Sequence, residues 1–387
     1  MCDRYVPLAS REVFTCGWLV VAVSLLLMVG CEHSAAADPQ LQRIQEKAQR
    51  AKQGVIEWAR TGRDPSRMVR LMEQVEPSLR TGNVTKAETL LDTVLQALSE
   101  SGAGHADFNE PITDEFGEPK RVEIIGYGGD AMEPFISRDG AFLFFNNLND
   151  PRVNTNLYFA KKIDALTFRF TGEVKGTNTQ ALEGVPTMDT HNRFCFVSPR
   201  DYERTLSTLY CGVFNDGKVR GVHQIGETLS RKRAPWFNMD VEISADGNTL
   251  YYTENEWDPT VGLPKSSNIH VAIREDGRFK RARNSNSLMR NINTDELEYA
   301  ASISSDGLEL YFTRAGVPIT GNLAVGARLR ILVAKRGHTG EPFGPPDVIG
   351  SIVGFVEAPT LTADGRALYY HQRDGERFHI YRVVKNK

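Results

Sequence analysis

The chain has 387 residues, with 46 Lys and Arg against 49 Asp and Glu and a net charge of −3 at pH 7. No basic footprint is present, which argues against nucleic acid as a partner. With 33 Gly, 12 Tyr and 19 Phe, the composition favours turns and strands over a mostly helical chain.

Arg4 and Arg11 precede an apolar run from Trp18 to Val29, followed by Gly30-Cys31. The run is too short to cross a bilayer as a helix and suits a secretory signal core. Residues 1–30 are therefore read as a signal peptide. The ending Met28-Val29-Gly30-Cys31 resembles a bacterial lipobox. That resemblance implies acylation of Cys31, a membrane held through the lipid, and a mature chain outside the cytoplasm in the cell envelope. After Cys31 only Cys195 and Cys211 remain, on two strands flanking one turn. An oxidising compartment allows a disulfide between them. Two buried free thiols are the expectation, given how often free Cys is buried.

Residues 38–101 read as an all-α module of three helices. Leu41, Ile44, Ala48, Ala51, Val55 and Trp58 form the first apolar stripe. Asp64-Pro65 restarts a helix whose stripe is Met68, Leu71, Met72, Val75 and Leu79. Thr85 and Glu88 have the spacing of a capping box at the start of the third. Residues 102–120 lack periodicity and read as a linker.

From residue 121 to 387 one phrase recurs: ISRDGAFLFF at 136–145, ISADGNTLYY at 243–252, ISSDGLELYF at 303–312 and LTADGRALYY at 361–370. A degraded copy, MDTHNRFCFV, stands at 188–197. Asp139-Gly140, Asp246-Gly247, Asp306-Gly307 and Asp364-Gly365 are turn pairs. The carboxylate accepts local backbone N–H bonds, and the Gly takes φ > 0. Each copy is thus a hairpin, and its Asp is structural. The turns lie 52, 55, 60 and 58 residues apart, counting His191 for the weak copy. A period near fifty marks a propeller or array, with room for four strands per repeat.

The S-x-D-G-x-x-L-Y-F/Y phrase, with an aliphatic third strand, resembles the TolB-type, WD40-like β-propeller repeats of exported bacterial proteins. The resemblance covers about residues 121–387. It implies an all-β propeller, with five blades expected and six if a blade without the phrase lies in 106–131. Val122–Ile125 is expected to complete the last blade and close the ring.

The long connections at 146–155, 198–206, 254–267 and 314–328 lie on the face away from the Asp-Gly turns, a common place for function. A carboxylate precedes each inner strand there: Glu133, Glu183, Asp240, Glu298 and Glu357. Five acids around one channel mouth would form a negative rim, able to shift pKa values or recruit a structural cation. Arg231, Lys232, Arg233, Arg290 and Arg314 are the groups placed to neutralise it. No nucleophile elbow, HExxH or phosphate loop occurs, and no metal or cofactor is expected beyond that cation. The eight His are scattered without metal spacing, and His371, at a strand end on this face, is read as a partly buried strand histidine. The expectation is a non-enzymatic envelope protein that binds a protein or glycan partner. The alternative is a glycoside hydrolase or polysaccharide lyase, since propeller glycosidases set carboxylates at this mouth and Glu133, Asp240 and Glu357 would serve.

Overall fold

The computed structural model describes residues 43–44, 47–52, 54–55, 66–100, 110–149, 153–258, 263–316 and 328–386. The signal segment, Cys31 and residues 102–109 of the expected linker lie outside the described residues. Among the described residues no helix is long and apolar enough to cross a membrane.

Ile44, Ala51 and Val55 pack with Met68, Val75, Ala87, Leu91 and Val94 in one apolar cluster. The expected second helix is two short ones, Ser66–Met72 and Val75–Arg80. Pro77 explains the break: it has no N–H to return to the Glu73 carbonyl, and its ring crowds that oxygen. The third helix runs Val84–Glu100. Its cap is Asn83, whose Oδ1 accepts the Lys86 N–H at 3.1 Å, in place of the box expected at Thr85 and Glu88.

The rest of the chain is β. Its strands fall into consecutive antiparallel groups, each opened by a copy of the hairpin. The first group is Met132–Ile136, Phe142–Asn146, Leu157–Lys162 and Thr167–Glu173. The second is Gly184–Met188, Arg193–Val197, Leu209–Asn215 and Lys218–Gln224. The third comprises Val241–Ile243, Thr249–Asp258, Leu263–Glu275 and Arg278–Arg281. The fourth is Leu297–Ile303, Glu309–Gly316, Arg328–Lys335 and Asp347–Ile349. The last has Val356–Leu361, Ala367–Asp374 and Arg377–Val384. The expected loop at 254–267 is largely the long hairpin of the third group, and 198–206 holds a short helix, Tyr202–Thr205.

Each Asp-Gly turn is built as the sequence suggests. Asp306 Oδ1 accepts the Ser304 hydroxyl at 2.6 Å and the Leu308 N–H at 3.0 Å. Gly307 stands at φ +75°. In the degraded copy Asp189 takes the place of the Ser, and Asn192 supplies the left-handed φ of 62°.

Apolar clusters join neighbouring groups all the way round. Phe144 and Phe159 meet Phe194 and Phe214. Cys195 and Leu209 meet Ile243 and Leu250. Ile269 and Val271 meet Leu310 and Leu332, and Tyr311 and Ile331 meet Leu368 and Tyr370. Leu143 and Phe168 of the first group meet Tyr369 and Ile380 of the last. Around the axis, each inner strand bonds to the one before it. Ile243 N donates to Thr187 Oγ1 (3.2 Å), Ile303 N to Glu242 Oε1 (3.4 Å), Leu361 N to Ser302 Oγ (3.1 Å) and Ile136 N to Thr360 Oγ1 (3.4 Å). The remaining place in this ring holds Phe135, which cannot accept. There Arg138 bridges instead, donating to Met188 O (3.3 Å), Ile243 O (2.7 Å) and Glu242 (2.8 Å). This closed radial arrangement is that of a β-propeller, and the buried Arg138–Glu242 pair plugs its axis.

Closure differs in detail from the expectation. Lys120–Arg121 pairs antiparallel with Arg382 and Tyr381 of the last group, so the closing strand lies earlier than Val122–Ile125. Glu123–Ile125 instead adds in parallel to the outer strand of the first group. Upstream, Ile112–Thr113 joins the fourth group beside Val348 and Ile349. The segment from 112 to 125 therefore straps three groups together, leaving much less linker than the sequence suggests. Cys195 and Cys211 lie directly opposite one another, with Cα atoms 4.1 Å apart, and form a disulfide. The free thiols expected there are corrected by this register, which points both side chains to one side of the sheet.

Candidate active site

The inner strands, except that of the third group, share an irregularity where they enter the channel. Glu133, Val185, Ala300 and Ala358 all have φ between 50° and 55°, left-handed for residues with a Cβ. In each case the strand ladder skips, as between Met132 and Phe135 or between Glu357 and Thr360. A bulge of this kind takes a backbone N–H out of the ladder. The freed groups are not left unpaired. Glu133 N donates to His371 Nδ1 (3.0 Å), Val185 N to Glu133 Oε2 (3.1 Å) and Ala358 N to Thr313 Oγ1 (3.0 Å). Ala300 N donates to Asp240.

These bulges line a cavity with about 740 Å³ of empty space, counting its open mouth. Its polar lining includes Glu133, Asp240, Glu357, Tyr299 and His371, and its apolar walls include Phe237, Met239 and Trp257. Among the described residues that line it there is no Lys or Arg. Glu133 Oε1 accepts from Asn149 Nδ2 at 2.8 Å. A Cβ on Gly184 would come within 3.0 Å of Glu133 Oε2, so the Gly leaves room for this carboxylate. Burial first, then the charges of Asp240 and Glu357, push Glu133 up to about 8. Asp240 is 5% exposed and accepts the Thr253 hydroxyl at 3.2 Å. Burial pushes it up to about 7, against the pull of Thr253 and of the Ala300 N–H. Glu357 takes the Tyr299 hydroxyl on Oε1 and His371 Nε2 on Oε2, the latter at 3.2 Å.

Glu183 and Glu298, expected on the same rim, do not reach the cavity. Both have no exposed surface. Glu183 accepts from Thr179 N and Oγ1 (2.7 Å each), Ser198 (2.9 Å) and Arg200 (3.0 Å). Glu298 repeats the pattern with Thr294 N (3.0 Å), Thr294 Oγ1 (2.6 Å) and Arg314 (2.9 Å). The shared segment T-x-x-L-E, at 179–183 and 294–298, is a signal that the sequence reading passed over. Register separates the acids further. Counting back from the Ser of the phrase or its equivalent, Glu183 and Glu298 stand six residues before it, Glu357 five, and Glu133 and Asp240 four.

Of the bases expected to neutralise the rim, Arg314 is bound to Glu298 and Glu110, and Arg231 pairs with Glu254 at 2.8 Å while stacking 3.7 Å from the Trp236 ring. Lys232, Arg233 and Arg290 do not line the cavity either. Among the described residues no group of three His, Cys, Asp or Glu side chains is arranged to hold a metal ion.

No protein-family model matches the chain, and no curated protein matches it. Among solved structures it is similar to TolB from Acinetobacter baumannii, at 13% identity and a TM-score of 0.36, over 67% of this chain and 55% of that one. The chain thus spans little more than half of that TolB. It is also similar to the catalytic domain of the Coprinopsis cinerea GH62 α-L-arabinofuranosidase, at 9% identity and a TM-score of 0.43, over 71% and 98% of the two chains. A family 117 glycoside hydrolase from Zobellia galactanivorans aligns at 9% identity and a TM-score of 0.44, over 70% and 91%.

Proposed function

We propose that the chain is a five-bladed propeller whose cavity is the active site of a glycoside hydrolase acting on a neutral glycan. One observation carries this reading: Glu133, Asp240 and Glu357, from three different inner strands, converge on one cavity walled by aromatic side chains, with no Lys or Arg among its described lining residues.

Glycoside cleavage needs a carboxyl that still holds its proton at working pH and a second that acts as base or nucleophile. Glu133, pushed up to about 8, holds its proton at neutral pH and is assigned as the general acid. Glu357, fixed from two sides by Tyr299 and His371, is assigned as base or nucleophile. Asp240 adds negative charge beside Glu133 and so keeps the acid protonated. Together the acids favour the positive charge that develops on the sugar in the transition state. A polysaccharide lyase must neutralise a uronate carboxylate, and a cavity lined by acids, with no Lys or Arg among its described lining residues, is poorly suited to that. The neutral-sugar hydrolase is therefore preferred.

A binding or scaffold role rested on the lack of catalytic motifs, and the convergence of three acids supplies what spacing alone did not display. The lipid anchor at Cys31 and the envelope location belong to the same proposal. Radiolabelled fatty acid should enter the full chain and not Cys31→Ala.

The test is a panel of neutral aryl glycosides and oligosaccharides. Glu133→Gln and Glu357→Gln should each lower kcat/KM by about 100-fold or more at unchanged far-UV circular dichroism. If nothing in the panel is cleaved, or both variants match the parent, the hydrolase reading is wrong, and a partner-binding face is what stands.

A further inference from the structure

The cavity takes lining residues from every strand group, and at the seam between the last group and the first one side chain touches both. His371, on Ala367–Asp374, is 1% exposed. The backbone N–H of Glu133, across the seam, donates to its Nδ1 at 3.0 Å. A nitrogen that accepts carries no proton. The other nitrogen, Nε2, lies 3.2 Å from Glu357 Oε2, a carboxylate oxygen. The single ring proton is therefore on Nε2 and points at Glu357. Phe378 packs edge-on to the imidazole (5.5 Å, 78°) and holds its plane. The Glu133 N–H is available only because the left-handed bulge at φ 50° lifts it from the ladder.

We infer that His371 is a positioning residue: a neutral imidazole whose tautomer is set by the Glu133 backbone and whose one N–H orients the Glu357 carboxylate. A bulge in the first group thereby fixes an acid in the last, and the site is complete only when the ring is closed. The consequence for turnover rests on the hydrolase reading. The tautomer does not. Both nitrogens are also occupied, so His371 offers no cation to a substrate, in keeping with a neutral sugar.

Two measurements test this. In 15N-histidine-labelled protein at pH 7, His371 should show one protonated ring nitrogen, Nε2, whose resonance moves in Glu357→Gln. A proton on Nδ1, a doubly protonated ring, or a resonance indifferent to Glu357→Gln would overturn the inference. The second is kinetic, on whichever aryl glycoside the panel shows to be cleaved. His371→Gln keeps an amide donor near Nε2, whereas His371→Asn keeps only an acceptor near Nδ1. His371→Asn should lose about 10- to 100-fold in kcat with little change in KM, and His371→Gln should recover part of it. Equal kcat for parent and His371→Asn would also overturn it. If no glycoside is cleaved, the hydrolase reading falls and the nuclear resonance result alone decides the inference.

Discussion

Two pairs of buried carboxylates stand within a few residues of one another in the repeat and do opposite things. Glu183 and Glu298 are enclosed by a threonine loop and an arginine, Arg200 and Arg314. Glu133 and Asp240 face a cavity, bonded to an amide, a hydroxyl and backbone N–H groups. Burial raises the pKa of all four. Depth therefore does not distinguish them; the partner does. At Glu183 and Glu298 an arginine pulls against burial and the carboxyl is closed off from the cavity, whereas Glu133 and Asp240 have neutral donors and open onto it, where a proton can be exchanged with a ligand as acid catalysis requires. The choice follows register: six residues before the Ser the side chain is bonded to the preceding threonine loop, while four before it Glu133 reaches the cavity from a bulge and Asp240 from an unbulged strand.

The largest expected effect tests the arginine-bound pair. Arg314 is 3% exposed on its side chain and shared between Glu298 and Glu110. Glu298→Ala leaves it short of a partner, at a cost of about 3–5 kcal/mol, read as a lower urea midpoint. Glu183→Ala should cost less, because Arg200 is 18% exposed and reaches solvent more readily. If Glu298→Ala unfolds at the parent midpoint, the distinction between the pairs fails.

The cavity pair should behave in the opposite way. The folded pKa of Glu133, about 8, lies above the unfolded value of about 4.3. The native state thus binds more protons between those values. Stability is fully present below about pH 4, declines as pH rises through the window, and levels off above about 8. Asp240 contributes in the same sense up to about 7. Glu133→Gln should flatten the decline by roughly 1–3 kcal/mol, seen in urea midpoints at pH 5 and pH 8.5. A parent protein with no such decline would remove the ground for assigning Glu133 as the acid.

The repeat, the hairpin turns and the radial closure were legible because they depend on local chemistry. Asp-Gly needs only its own backbone, and the degraded copy kept turn residues in Asp189 and Asn192. The closing strand was placed a few residues late, because Val122, Ile124 and Ile125 carry the strand signal whereas the charged pair Lys120-Arg121 that closes the ring does not. The disulfide was not legible, since pairing depends on whether two strands align without offset. For the site, Glu133, Asp240 and Glu357 stand together at one cavity, while Glu183 and Glu298, grouped with them on sequence grounds, do not reach it. Proximity to the strand was visible, but the side-chain direction was set by bulges that no propensity announces at Val185, Ala300 or Ala358. T-x-x-L-E was the available clue, meaningful only once both copies are set beside their arginines.

The smallest effect belongs to acids at the other end of the same strands. Asp306 is held below its usual range by the Ser304 hydroxyl and then by the Leu308 N–H. A lowered folded pKa means that its contribution is present above the unfolded value and is lost as pH falls through the folded one, the reverse of Glu133. Replacing it removes one exposed turn, so Asp306→Ala should cost about 1 kcal/mol, and less at pH 3 than at pH 7. The Asp306 carboxylate bonds within its own turn, to the Ser304 hydroxyl and the Leu308 N–H, and does not line the cavity. Turnover of any cleaved glycoside should therefore match the parent at temperatures where both are folded. If Asp306→Ala impaired turnover as much as Glu133→Gln, the turn end would share in the chemistry, and the division of acids by register would have to be abandoned.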